Sequence, residues 1–521
     1  MVDNDHDEMT ILGSGKTNTE SEEEDEREGP ISRHKSTSFS DTDYDKTLSV
    51  FFEESHGRTL LFKRGSKKME WNVMDSFQTP FSQCQAIEAI HLRGQISWLL
   101  LHNNGFNAMV GLLKEIKALP KLKRVELGLC STMPLLTTTF LPLIQEYLLE
   151  PLLLVRSATE GIEGSRPGGP ALLDLTVKDT SLELSSPDRD GGENKTVKVY
   201  VSNTRSAPAA AIQWPDGQVS VAAAEDVYSL MLKEFLRHSK HIHAFHFLVG
   251  RPGQDTLRSV QEEMQRMTNL KTLRIENTRH GMSMLIDALV GLKPTGTPTS
   301  RTRKLGYFET DITAEEQHRH VEHLTHLSIE GVDLHHNDYQ RILEFVKESP
   351  TLLDLNLWDH RVSSHENELL ESYYPLLTIL SQSKTLRSVR FRDSLENIDF
   401  FFQDLDKRLL DILTNKNHAV SSLKTGESGV NSSDVQHRLN LNYFGLGALE
   451  RCHRACTKDE FRIFIIAAIE KEENDEAGWD GCTDRRRVLP CVYRLLRDYP
   501  QFVSFLDPSD RPRLSPIGFL L

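Results

Sequence analysis

Three segments of this 521-residue chain repeat one spacing of apolar residues, and that spacing constrains the fold more than any other feature. Leu324, Leu327 and Ile329 lead to Val332 and Leu334. Leu352, Leu355 and Leu357 lead to His360 and Val362, and Leu386, Val389 and Phe391 lead to Ser394. Each segment is apolar, two gaps, apolar, one gap, apolar. Alternation over so short a stretch predicts a strand with one face inward. A helical period separates the copies, at Asn337–Ser349 and Glu366–Ser383, so that they recur at intervals of similar but unequal length. A unit of strand, loop and helix cannot bury its own apolar face, so neighbours must stack. The expected fold class is therefore α/β: a solenoid with a curved parallel sheet and outer helices.

The same rhythm runs backwards along the chain. Leu270, Leu273 and Ile275 precede Leu324 by close to two repeats, and Ile242, Phe245 and Phe247 lie one repeat earlier behind a helix at Ala224–Arg237. Leu122, Val125 and Leu127 follow a helix at 105–119 that Pro120 ends. Ile87, Ile90 and Leu92 give a weaker copy, and Thr59–Lys63 reads as a first, capping strand. Phe140–Val155 reads as a buried helix that Pro142 and Pro151 restrict to the residues between them. Leu172, Leu175, Val177, Thr180 and Leu182 restore the strand spacing before an irregular insertion at 183–224, in which Thr196–Val201 alternates like an extra strand.

These patterns divide the chain into four parts. Residues 1–47 are an acidic tail, expected to be disordered. Residues 48–417 are the repeat array, with the insertion at 183–224 and a turn-rich basic loop at 293–303. Residues 418–438, rich in Ser, Gly and Asn, read as a flexible loop. Residues 439–521 form a helical C-terminal cap, with amphipathic helices at 459–472 and 485–498 and no strand signature. An array needs such an end piece to seal its last apolar face.

Charge and cysteine content bound the function. The net charge is −15, and residues 1–50 hold 14 acidic against 5 basic residues. A run such as Glu20–Glu28 buries too little apolar surface to offset its ordering entropy. So acidic a chain is a poor general binder of phosphate backbones, and no nucleic-acid partner is expected. Six cysteines in this length are too few for a disulfide scaffold and fit a reducing compartment. With no leader pattern at the N-terminus and no apolar run of membrane-spanning length, the expected location is cytoplasmic or nuclear, away from membranes. The acceptor tripeptides at Asn194 and Asn431 would then stay unmodified.

Over about residues 85–413, most clearly at 242–392, the chain resembles leucine-rich repeat proteins of the ribonuclease-inhibitor-like type. The segment from Leu441-Asn442 through Gly445 to Leu495-Leu496-Arg497 is similar to the tail of leucine-rich-repeat-like proteins of diatom-type algae. The resemblance implies a curved solenoid that binds other proteins and carries no catalytic residues or cofactor. Two departures leave the repeat count open. The spacing is uneven, and Val332, His360 and Ser394 stand where the family places asparagine.

Alternation also names a candidate partner-binding surface on the concave face. The residues between the inward ones are Arg274 and Glu276, Ser328 and Glu330, Asn356 and Trp358, Arg390 and Arg392. Tryptophan beside arginine is the composition that dominates interface energetics, and Trp358 is placed to stack with Arg390 or Arg392. The competing reading is ordinary surface.

Two further function classes fit parts of the chain. One is a metal- or nucleotide-binding, enzyme-like protein. Gly13–Thr17 resembles the end of a phosphate-binding loop, but Thr10 stands where the motif needs glycine. His318, His320, His323 and His326 are dense, and Cys452, His453, Cys456 and Cys482 are close in sequence, yet neither set has the paired spacing of a zinc site. The other is a regulatory protein acting through its tail, where Arg33-His-Lys precedes Ser36–Ser38 as a kinase would prefer. The expectation is a non-catalytic scaffold with no metal or cofactor.

Overall fold

The computed structural model describes residues 46–52, 59–72, 85–94, 103–130, 140–154, 172–187, 194–202, 212–213, 219–220, 227–264, 266–290, 323–363, 377–393, 402–425, 433–451, 453–474 and 488–505. The expected tail up to residue 45 and the loop at 293–303 lie outside them. The fold is mixed α/β, built on a long, mostly parallel, open sheet with many helices.

The first strands are β1 (Thr47–Phe52), β2 (Thr59–Arg64), β3 (Lys67–Asn72), β4 (Ala89–Gly94) and β5 (Arg124–Cys130). Then come β6 (Leu173–Lys178), β7 (Ser181–Ser186) and β8 (Lys195–Ser202), with a separate short pair, β9 (Ile212–Gln213) and β10 (Val219–Ser220). The last strands are β11 (Ile242–Leu248), β12 (Thr272–Glu276), β13 (His326–Glu330), β14 (Asp333–His335), β15 (Asp354–Ser363), β16 (Ser388–Asp393) and β17 (Ser422–Thr425). The sheet runs β17-β16-β15-β13-β12-β11-β6-β7-β8-β5-β4-β1-β2-β3, and β14 pairs with β15. From β17 to β6 every neighbour is parallel, and so is every neighbour from β8 to β1.

The repeat spacing stacks in register. Leu273, Leu327, Leu355, Val389 and Leu423 lie opposite one another on successive strands, all 6% exposed or less. Ile275, Ile329, Leu357 and Phe391 form the next buried column. Each such side chain contributes about 1.5–3 kcal/mol by leaving water, so a one-residue slip of register is strongly disfavoured.

The helices supply the other half of this core. They are α1 (Asn103–Lys117), α2 (Leu141–Ile144, continuing as Gln145–Leu154), α3 (Val227–Leu236), α4 (Gln254–Met264), α5 (Met282–Val290), α6 (His336–Glu348), α7 (377–382) and α8 (Phe402–Asn415). In α6, Tyr339, Ile342, Leu343, Phe345 and Val346 are buried, the stripe expected of a helix packed on one side. α3, α4, α5 and α6 touch in succession, and their buried residues join those of the strands in one cluster.

The C-terminal helices are α9 (Ser433–Tyr443), α10 (Gly447–Arg451), α11 (Lys458–Asn474) and α12 (Val488–Asp498). They build a second cluster around Phe461, Ile465, Val492, Leu495 and Phe502. α9 links the two, since Val435 and Leu439 belong to the first core and Leu441 to the second.

Five details differ from the sequence expectation. First, β12 and β13 pair directly, with no strand between them in the sheet, although Leu270 and Leu324 are close to two repeats apart. Second, Leu172–Leu182 is not one strand with its exit loop. The chain reverses at Asp179-Thr180 and returns as β7, antiparallel to β6. The 183–224 stretch is thus partly inside the sheet: β7 and β8 lie between β6 and β5. Third, the helix at 140–154 runs through Pro151. It opens there into the wider π form, which leaves room for a ring that an α-turn would reject. Fourth, Thr59–Arg64 is the second strand, with β1 before it. Fifth, the flexible loop expected at 418–438 holds β17, parallel to β16, and the start of α9. Val420 and Leu423 are its buried anchors, and the ladder to β16 overrides the loop-like composition.

Candidate binding face

With alternate residues of every strand committed to the core, the others line the opposite face of the sheet. The strand register sets the eight candidate positions in two rows. Arg274, Ser328, Asn356 and Arg390 are opposite one another, and so are Glu276, Glu330, Trp358 and Arg392. The first row continues to Lys424 on β17, and in the other direction to His246 on β11 and Thr176 on β6.

Charges on this face are distributed unevenly. On β4 and β5, Glu126 receives Arg124 Nη2 at 2.6 Å and lies 3.5 Å from His91 Nε2. Across the inserted strands Lys198 faces Glu183 at 3.4 Å. Arg274 forms an ion pair with Glu276 on its own strand and lies 3.9 Å from Glu330. His326 Nε2 meets Asp354 Oδ2 at 2.6 Å. Further along, the pattern stops. Asn356 donates its amide to Ser328 Oγ at 3.0 Å, its Oδ1 is buried without a hydrogen-bond partner, and Arg390 and Lys424 stand directly opposite each other. Among the described residues no carboxylate pairs with either cation.

Trp358 is half-buried. Lys424 Nζ sits 4.6 Å from the ring centroid, within cation–π range. Lys424 escapes the sequence reading because its strand has the composition of a loop. Its signal is present: Val420, Leu423 and Thr425 repeat the spacing one unit after Leu386, with threonine in the third apolar slot. His246 escapes it too. Burial holds its imidazole below the ordinary histidine range, Arg274 lowers it further, and Glu276 opposes the shift.

The residues of the alternative sites are described only in part. Gly13–Thr17, Ser36–Ser38, His318, His320, Cys452 and Cys482 lie outside the described residues. His326 is paired as above. His453 Nδ1 contacts Glu450 O at 2.7 Å and its ring packs against Tyr499, 4.8 Å between centroids. Cys456 and Cys491 are buried, and burial pushes the Cys491 thiol up to about 12, which keeps it out of the reactive thiolate form. Among the described residues, no three His, Cys, Asp or Glu side chains gather to hold a metal. None of the described helices is long and apolar enough to cross a membrane.

Comparison with known proteins adds no family assignment: no family model matches the chain, and no curated protein is similar to it in sequence.

Proposed function

We propose that the chain is a leucine-rich repeat solenoid acting as a non-catalytic scaffold, which binds a protein partner on the polar face of its sheet. The observation that carries this reading is the register. It aligns Trp358 with Arg392 and Asn356 with Arg390, in the rows that alternate with the buried columns. Aromatic and arginine side chains concentrated on one face are the usual anchors of protein interfaces. The helix side supports the reading by exclusion, because its apolar stripes are consumed by the core.

The test is capture from native lysate by the full chain beside the variant W358A/R390A/R392A, with folding checked by circular dichroism. An anchor of this kind contributes about 2 kcal/mol or more, so a true partner is retained by the first and lost by more than about tenfold in the second. Equal retention by both would move the binding surface to another face.

A further inference from the structure

The distribution of charge on the open face specifies the partner further. We infer that its β15–β17 end docks an extended acidic peptide segment, with carboxylates received by Arg390 and Lys424 beside Trp358. This inference rests on the scaffold reading and adds the chemistry of the occupant.

Arg390 and Lys424 are exposed and directly opposite on adjacent parallel strands. Like charges so placed repel. Elsewhere on the sheet a cation has an acid beside it: Glu126 for Arg124, Glu183 for Lys198, Glu276 for Arg274. Acidic residues outnumber basic ones, 76 to 61, so carboxylates are plentiful. Even so, none of the described ones reaches this rung.

A similar pair, Lys63 and Lys68, lies opposite on β2 and β3 at the far end of the sheet. There the lysines have an ordinary use, since β3 is the terminal strand and lysine discourages edge-to-edge pairing. That account does not transfer. β17 is terminal too, but it already meets α9, whose Asn442 Nδ2 donates to Val420 O, just before the strand, at 2.9 Å.

The scale of the rung fits a peptide. Adjacent strands lie about 4.8 Å apart, and residues i and i+2 of an extended chain put side chains on one face about 6.7 Å apart. Two long cationic side chains span that difference. Arginine takes a carboxylate through two parallel hydrogen bonds, and the Trp358 ring offers a flat apolar surface next to it. A nucleic acid fits poorly. Its affinity comes from neutralising many phosphates, typically about 6–10, and this rung offers two cations.

The experiment is fluorescence anisotropy of the full chain with a labelled peptide of six Glu-Ser repeats, against a Gln-Ser peptide and an oligothymidylate of equal length. The Glu-Ser peptide is expected to bind, to weaken about tenfold in R390E/K424E, and to be unchanged in K63E/K68E. If reversing two charges unfolds the last strands, R390Q/K424Q carries the same test with a loss of about threefold. Absence of binding, equal binding by R390E/K424E, or equal weakening by K63E/K68E would overturn the proposal. So would tighter binding of the oligothymidylate through the same two residues. A lysate partner lost from W358A/R390A/R392A, combined with no Glu-Ser binding, would refute the acidic occupant and leave the scaffold reading in place.

Discussion

Asn417 is the residue whose loss should cost the array most for the fewest atoms removed. It is 2% exposed and makes four hydrogen bonds to backbone. Its Nδ2 donates to Leu380 O at 2.6 Å and Ser383 O at 2.8 Å, carbonyls at the C-terminal end of α7 that no intrahelical partner can serve. Its Oδ1 accepts from Ala419 N at 2.9 Å and Val420 N at 3.1 Å, the entry to β17. One side chain thus ties the helix of one unit to the strand of the next. Each bond is worth about 1 kcal/mol net, and the buried groups left behind find little water, so Asn417→Ala should destabilise by about 3–5 kcal/mol. Asn415, nearby at the end of α8, is exposed, and among the described residues its side chain bonds only Asp411 Oδ1, at 2.8 Å. Asn415→Ala should therefore change stability by less than about 0.5 kcal/mol. Urea unfolding followed by circular dichroism compares the two, and hydrogen exchange at Ala419 and Val420 localises the effect. If Asn417→Ala fell within about 1 kcal/mol of Asn415→Ala, with both amides still protected, the clip would not be holding these units together.

Two further perturbations test backbone strain and charge. Gly331 has φ +62°, and a Cβ there would lie 2.7 Å from Asn277 Oδ1, so Gly331→Ala should lose about 1–3 kcal/mol of stability by the same unfolding assay. Asn277→Gly in the same chain should recover the steric part, and no recovery would show that the neighbour was never the obstacle. The half-buried His437 is held down to about 4, first by burial and then by Arg494 and Arg438. The folded value lies below the unfolded one, so the unfolded chain takes up the proton first, and stability falls as pH drops from about 6.5 to about 4, then levels off. Allowing for the remaining exposure, the loss should be about 1–2 kcal/mol, and His437→Gln should flatten urea midpoints measured between pH 7 and pH 4.5.

The stretch 242–392 is legible because its inward residues are almost all Leu, Ile, Val or Phe and its outward ones polar. Two-residue alternation then fixes both the face and the register, and it places Arg274, Ser328, Asn356 and Arg390 opposite one another, as the strands do. The same rule misleads at Leu172–Leu182. A two-residue turn shifts the alternation by one position, so Val177 and Leu182 stand five apart, as Ile329 and Leu334 do in a repeat whose chain has not reversed. Periodicity reports which face a residue occupies and is blind to whether the chain has turned back. β17 is hidden for a different reason. Thr425 fills the third slot, and Ser421, Ser422 and Asn417 look like loop residues, although Asn417 is buried and fully bonded.

This division of labour along each strand bears on how the face can work. Inward positions are held to apolar residues of fixed size, because a methylene lost there opens a cavity in a core shared by neighbouring units. Outward positions carry no such demand, and exposed ion pairs among them add only about 0–1 kcal/mol each. Recognition chemistry on the open face is therefore nearly uncoupled from folding, except where a side chain is tied into the backbone as Asn417 is. Arg390 and Lys424 are on the uncoupled side of that line: both exposed, with neither side chain bonded to backbone among the described residues, and placed together at some cost to the free chain. Repulsion of that kind lowers the stability of the unbound face and is relieved when a carboxylate arrives, so part of the binding free energy is already stored in the register of two adjacent strands.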